Sequence, residues 1–258
     1  MKIAMVQMRI IAGDVAANRA RGLALAAEAA ANAAVVVLPE IWTTGYALRQ
    51  VADMAEDQDG PTLTGMREIA AREGVTVVAG SLALRRQGRI YNESVVIGPD
   101  GSTIANYAKI HLFSMTGEER FFAAGDRRCL FDVGGLRAGL AICYDLRFPE
   151  LFRLLAGDGA QVVFMPSEWP LVRALPWQVL CRARAMENQT YICAVNCVGE
   201  HRGSPFAGQS LLIAPDGEIV AAGGAEEAVI YGEIDPAAVA AVRETMKVWQ
   251  DRRPEVYL

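Results

Sequence analysis

Histidine is nearly absent from this 258-residue chain, which carries His111 and His201 and no others. Five cysteines accompany them, none in a Cys-x-x-Cys arrangement. So few nitrogen and sulfur ligands leave a zinc cluster without donors, and no metal is expected. The closest thiols, Cys193 and Cys197, share a strand-like run over residues 190–197. Four extended residues would hold their Cα atoms roughly 13 Å apart, beyond the reach of a disulfide. Cys129, Cys181, Cys193 and Cys197 therefore read as packing residues, and reduced thiols suit a cytoplasmic protein. The chain also lacks a run of Lys or Arg, and its net charge is −5. No nucleic-acid partner is expected. Long apolar runs are missing too. Met1 to Met8 is too short for a signal peptide and alternates like a strand, while the Ala-rich residues 23–38 are broken by Glu28 and Asn32. Neither is a membrane span, so no membrane partner is expected.

What the chain does have is chemistry at the ends of apolar strands. Val35-Val36-Val37-Leu38-Pro39 delivers Glu40, and Asn106-Tyr107-Ala108 delivers Lys109. Leu140-Ala141-Ile142 runs into Cys143-Tyr144-Asp145-Leu146-Arg147-Phe148-Pro149-Glu150. Strand ends are where a cleft opens beyond a sheet. A thiol, a carboxylate and an ammonium meeting there can serve as nucleophile, base and oxyanion stabiliser. Taken singly, each has an ordinary reading as a core thiol or half of an ion pair.

The sequence also repeats itself. Ala34-Val35-Val36-Val37-Leu38-Pro39-Glu40-Ile41-Trp42 resembles Gln161-Val162-Val163-Phe164-Met165-Pro166-Ser167-Glu168-Trp169, and Ser94 to Gly101 resembles Ser210 to Gly217. Both members of the second pair end in Pro-Asp-Gly between apolar runs, a hairpin turn in which Pro presets φ and Gly supplies a positive one. Helical runs are predicted at about residues 16–32, 64–73 and 177–187, with strands at 75–79 and 190–195. Two copies of strand–helix–strand–helix–strand–strand make two mixed sheets face to face with helices outside. The expected fold is thus α/β, a four-layer α-β-β-α sandwich with an internal pseudo-two-fold repeat. Residues 1–258 are expected to form one domain, because 106–126, rich in Phe, Leu and charge, is no linker. The copies differ at the chemistry: Glu40 aligns with Ser167, and Cys143 with Gln7. One composite site is expected, drawing on both halves.

Leu38-Pro39-Glu40, Tyr107-Ala108-Lys109-Ile110-His111-Leu112-Phe113 and the segment from Cys143 to Glu150 resemble the three signatures of the nitrilase, or carbon–nitrogen hydrolase, superfamily. The likeness reaches from the first strand to the Arg252-Arg253-Pro254-Glu255-Val256-Tyr257 tail. Cys-Tyr-Asp resembles the amidase branches, where nitrilases usually carry Cys-Trp-Glu. Ser167-Glu168-Trp169-Pro170, Trp177-Gln178 and the segment from Arg182 to Asn188 are most similar to omega-amidases. The resemblance implies the same sandwich fold and a thiol amidase without cofactor. Glu40 would take the thiol proton, Cys143 attack a primary amide, and Lys109 with the Tyr144 backbone N–H hold the oxyanion. Ammonia would leave, and water activated by Glu40 would hydrolyse the thioester. Glu118, seven residues before Gly125, matches a fourth active-site glutamate that holds Lys109 and orients the amide; Glu119 beside it is the alternative.

The implied substrate is a small-molecule mono-amide of a dicarboxylate. Alternatives are the activities of a deaminated-glutathione amidase, an N-carbamoyl amino-acid hydrolase or a nitrilase, or a catalytically silent binding protein. Trp42, Tyr46, Phe113, Tyr144 and Trp169 follow the catalytic strands; some of them must be core, and the others suit the mouth of a small-ligand pocket. The substrate's far carboxylate needs a cation or N–H donors. Arg173 is the first choice and Arg202 the second; Glu168 would repel that carboxylate if it faced the pocket, which leaves a neutral or amine-bearing amide as the alternative substrate. His111 offers a rival Cys–His pairing, and Arg147 an ion pair with Asp145 or Glu150. Family members commonly dimerise, so a homodimer or higher homo-oligomer is expected, with Val256, Tyr257 and Leu258 seeking a surface.

Overall fold

A computed structural model describes residues 1–257, with side chains through Val256. The first half runs β1 (Lys2–Gln7), β2 (Arg9–Ile11), α1 (Val15–Ala30), β3 (Val35–Val37), α2 (Val51–Met54) and α3 (Pro61–Glu73). It continues through β4 (Thr76–Val78), β5 (Leu82–Arg86), β6 (Arg89–Ile97), β7 (Thr103–Ala108) and β8 (Leu130–Val133). The second half comprises β9 (Leu136–Leu140), α4 (Pro149–Gly157), β10 (Val162–Pro166), α5 (Ala174–Asn188), β11 (Tyr191–Val195) and β12 (Val198–His201). After them come β13 (Ser204–Pro205), β14 (Leu211–Ile213), β15 (Ile219–Ala222), β16 (Ala228–Glu233), α6 (Pro236–Thr245) and α7 (Pro254–Tyr257).

Period-two patterning places the layers. Ile3 and Met5 of β1, with Val35 and Val37 of β3, join the apolar cluster that contains Leu140, Val163 and Ile192 of the second sheet. Ala4, Val6 and Val36, between them, point the other way, into a cluster with Leu25 and Ala29 of α1 and Leu63 and Met66 of α3. Strands buried on both faces read as continuous apolar runs, which is why Val35-Val36-Val37 carries no polar residue. On the far side, α4 and α5 cover the second sheet, with Phe152, Leu155, Cys181 and Ala185 in its cluster. The result is the expected four-layer α-β-β-α sandwich.

The pseudo-two-fold is visible in the pairing. In the first sheet β1, β3 and β4 are parallel, and β6 and β7 follow antiparallel. In the second, β9, β10 and β11 are parallel, and β14 and β15 follow antiparallel. Closure is reciprocal. β8, last strand of the first half, pairs with β9, and β16, last strand of the second, pairs with β1. A further small sheet, in the order β13-β12-β2, ties the halves together. Both Pro-Asp-Gly triplets form the same turn: Gly101 and Gly217 sit at φ +81° and +89°. In each, the Asp side chain accepts the N–H two residues on, from Ser102 and from Glu218.

Trp42 belongs to the core and not to the pocket mouth: it is fully buried, and its indole N–H donates to the Ala79 carbonyl. The tail is anchored by Trp249, whose ring lies under the Arg153, Arg243 and Arg252 guanidinium groups. Of the apolar tail residues, Val256 is exposed, while Leu258 and the side chain of Tyr257 lie outside the described residues. Among the described residues no helix is long and apolar enough to cross a membrane.

Candidate active site

The ends of β3, β7 and β9 converge on one buried cluster. After β3 the chain turns sharply, with Ile41 at φ +31° and its N–H held by Ser81 Oγ. Glu40 donates its backbone N–H to the Ser167 carbonyl, so the residues that match in the repeat meet across the pseudo-two-fold. Lys109 leaves β7 with its N–H on the Asn92 carbonyl, and its own carbonyl accepts from Gly125. Only glycine fits at 125, since a Cβ there would lie 2.1 Å from the Ala108 oxygen.

Cys143, three residues beyond β9, opens a 3-10 turn with its backbone in the left-handed region, at φ +45°. For a non-glycine residue this costs about 1–3 kcal/mol and must be imposed by its surroundings. Asp145 imposes it. One carboxylate oxygen accepts the Ile142 N–H at 2.8 Å and the Tyr107 hydroxyl at 2.7 Å. The other accepts the His111 backbone N–H at 3.1 Å and meets its Nδ1 at 2.7 Å. His111 is thereby committed to Asp145 and stacked on Phe148, 3.7 Å between ring centres, rather than paired with Cys143.

Lys109 lies between two carboxylates. Its Nζ donates to Glu40 Oε1 at 2.7 Å and to Glu118 Oε1 and Oε2 at 3.0 and 2.9 Å, and all three side chains are fully buried. Glu40 Oε1 also accepts from Asn92 Nδ2 at 2.8 Å, and Oε2 from the Glu168 backbone N–H at 3.0 Å. Glu118 further accepts the Phe113 N–H and a long contact from the Tyr46 hydroxyl. Of the two adjacent glutamates it is Glu118 that enters the cluster, while Glu119 is exposed. The pseudo-symmetric strand end is used differently. Gln7, the counterpart of Cys143, binds Ser210 and the carbonyls of Gly224 and Glu226, so no second site forms.

This arrangement of thiol, carboxylates and ammonium on a doubled sandwich has relatives. A model of the carbon–nitrogen hydrolase family matches residues 2–244. The chain belongs to that family. It is 40% identical over 226 residues to a 2-oxoglutaramate amidase of Bacillus subtilis, spanning 88% of this chain and 87% of that protein. It is 32% identical to a human omega-amidase over 99% of this chain and 96% of the relative. The crystal structure of a superfamily protein from Xanthomonas campestris, with an arsenic adduct in its active site, superposes with a TM-score of 0.91. The two are 34% identical, and the match covers 98% of this chain and 97% of that one. The protein is a hydrolase of carbon–nitrogen bonds other than peptide bonds, of the amidase type.

Burial dominates the electrostatics of this hydrolase. It raises the Glu40 carboxyl above its ordinary value, against the pull of Lys109. Burial alone would lower Lys109, but Glu40 and Glu118 more than offset it and hold the ammonium above the usual lysine range. The Cys143 thiol is pushed well up, by burial first and then by the charge of Glu40. Burial thus strengthens the hold of both the Cys143 thiol and the Glu40 carboxyl on a proton, and sets the two side by side.

Cys143 opens on a cavity of about 450 Å³. Tyr46, Phe113, Tyr144, Trp169 and Arg173 all line it, as do Glu168 and five arginines in total: Arg49, Arg120, Arg147, Arg173 and Arg202. Arg147 makes no pair with Asp145, whose oxygens are taken; it lies over the Trp169 ring. Arg173 sits over Phe113. Four contributors escape a reading from sequence. Arg49 lies in a segment without any motif, Arg120 follows Glu118 with nothing to mark it as pocket-facing, Asn92 is one polar residue in an apolar strand, and Asp145 looks like an ion-pair partner. Glu168 needs a different correction. Its carboxyl is buried and is held well above the usual carboxylate range by burial and then by Glu40 and Glu118, against weaker pulls from Lys109 and the Tyr46 backbone N–H. Burial thus works against the negative charge expected of it.

Proposed function

We propose that Cys143, Glu40, Lys109 and Glu118 carry out the hydrolysis, and that the substrate is a short mono-amide of a dicarboxylate. The observation that carries this reading is the fully buried Glu40–Lys109–Glu118 chain ending at the Cys143 thiol, beneath a cavity rimmed by arginine. Glu40 takes the thiol proton as sulfur attacks the amide carbon, and the C=O electron pair moves onto oxygen. Lys109 and the Tyr144 backbone N–H stabilise that oxyanion. The intermediate collapses, protonated Glu40 returns its proton to nitrogen, and ammonia leaves a thioester on Cys143. Water, deprotonated by Glu40, then attacks the thioester to give the carboxylate and the free thiol. Glu118 acts through Lys109, fixing where the ammonium points.

At the far end of the cavity a substrate carboxylate meets arginines, with Arg173 the first candidate. The names of two relatives, a 2-oxoglutaramate amidase and an omega-amidase, favour the same class. Tyr46, Phe113, Tyr144 and Trp169 supply the apolar wall for the short chain between the two ends. The test compares kcat/KM for α-ketoglutaramate or succinamate with that for hexanamide, in wild type and Arg173→Ala. The dicarboxylate mono-amides are expected to be preferred, and Arg173→Ala to erode that preference. A clear preference of the wild type for hexanamide sinks the dicarboxylate reading and leaves the amidase chemistry standing.

The reciprocal exchange of β8 and β16 supports residues 1–258 forming one hydrolase domain, since neither half completes its own sheet. Leu171, Val172, Leu175, Val179 and Met186 form an exposed apolar stripe along the start and one side of α5. Such a stripe supports self-association into a homodimer or higher homo-oligomer. Five free cysteines, all buried, suit the reducing cytoplasm.

A further inference from the structure

The hydrogen-bonding capacity of the three acidic side chains at the site is used very unequally. A carboxylate offers about four lone-pair positions. Glu118 fills its set with two contacts from Lys109, one from the Phe113 N–H and one from the Tyr46 hydroxyl. Glu40 gives Oε1 to Lys109 and Asn92, and Oε2 to the Glu168 N–H, and it faces the Cys143 thiol. Glu168 is only 2% exposed and lines the Cys143 cavity, and neither oxygen makes a well-formed hydrogen bond, the Tyr46 backbone N–H alone exerting a weak pull on it. A buried polar group left unpaired costs roughly 1–3 kcal/mol, so its retention needs a reason. Its own backbone N–H holds Glu40. The side chain therefore springs from the point where base and nucleophile meet.

A primary amide brings one carbonyl and two N–H donors into this space. The carbonyl belongs with Lys109 and the Tyr144 N–H, and one N–H faces Glu40, which later protonates the nitrogen. The second N–H finds Glu118 already saturated. We propose that Glu168 is a further substrate-contacting residue, whose side-chain oxygen accepts the second amide N–H and so selects a primary carboxamide over an ester of the same acid. Glu168 exchanges no proton: on collapse the nitrogen takes its proton from Glu40 and leaves as ammonia, and the Glu168 carboxyl is unchanged. This assignment rests on the amidase reading of Cys143.

The test uses the full-length protein with Glu168→Met, which removes the acceptor at similar size, and Glu168→Gln, which keeps a carbonyl. Succinamate and monomethyl succinate share a far carboxylate and differ in whether the leaving group carries N–H. Losing one hydrogen bond of about 1.4 kcal/mol corresponds to a tenfold change. Glu168→Met is expected to lower kcat/KM for succinamate about tenfold more than for monomethyl succinate, and Glu168→Gln to recover most of that loss. In the Cys143→Ala background, calorimetry should show Glu168→Met weakening succinamate by a similar factor and the ester far less. Equal losses on amide and ester, in rate and in binding, would overturn the proposal in favour of a packing role. Damage by Glu168→Gln as severe as by Glu168→Met would overturn it in favour of a charge. If the Cys143→Ala protein itself releases ammonia, the underlying amidase reading has failed instead.

Discussion

Replacing Lys109 with methionine would remove the only cation between two fully buried carboxylates while keeping much of the side chain's volume. Two effects follow, and they separate. For chemistry, the loss of an oxyanion donor predicts a fall in kcat of about 10²–10³. For stability, breaking a buried pair by deleting one partner costs about 3–5 kcal/mol, because the other charge is left behind. In a chain of this length the melting temperature moves by roughly 2–4 °C per kcal/mol, so it should drop by about 10 °C. The pH dependence follows from the direction in which Glu40 is moved. Without Lys109, the Glu40 carboxyl, already raised by burial, must rise further. Between its unfolded value near 4.5 and that raised value, the folded state binds more protons than the unfolded one, so stability falls with rising pH. The deficit against wild type should therefore be small in mild acid and grow toward neutrality. Thermal melts at several pH values, with single-turnover ammonia release on the same samples, provide the assay. A variant with near-normal kcat would show that Lys109 is only structural. A variant equally destabilised at every pH would refute the buried-charge reasoning.

Two further outcomes follow from the same geometry. Asp145→Ala deletes the acceptor for the Ile142 N–H, the Tyr107 hydroxyl and the His111 N–H. It should cost roughly 3 kcal/mol or more and let the Cys143 turn relax, cutting kcat even where the variant remains folded; unchanged kcat in folded protein would show that the turn does not need this clamp. Glu168→Gln should raise stability at neutral pH, because the wild-type carboxyl is held well above its ordinary value and must either stay protonated or be buried charged. The folded wild type binds that proton where the unfolded chain does not. Its disadvantage is therefore about 1.4 kcal/mol for each tenfold difference in proton affinity between the two states, and it vanishes below the unfolded value. Melts at neutral and acid pH check this, and a pH-independent difference contradicts it.

Much of this site was legible because its residues end strands. Glu40, Lys109 and Cys143 each follow a short apolar run, and the doubled pattern of runs and Pro-Asp-Gly turns implied two sheets with one composite site. Long periodic segments such as α1 and α5 fell within a few residues of expectation. The rest depends on three-dimensional closure. Asp145 reads as a surface acid until β7 and its sequel bring Tyr107 and His111 onto it. Glu168 reads as a charge because sequence does not show that Glu40 and Glu118 already occupy its surroundings. Which aromatics after the catalytic strands are core is likewise settled only in three dimensions, where the turn at Ile41 directs Trp42 inward. The exchange of β8 and β16 had no local signal either, since it is a pairing between strands at opposite ends of the chain.

The central claim is that amide hydrolysis passes through a thioester on Cys143. Wild-type protein mixed with succinamate, quenched in acid within the first turnovers and digested for peptide mass mapping tests it directly. A succinyl mass gain is expected, confined to the peptide bearing Cys143, formed before free succinate accumulates and absent from Cys143→Ala. Succinate and ammonia released at full rate by Cys143→Ala, or the acyl group found on Cys129, Cys181, Cys193 or Cys197, would contradict it.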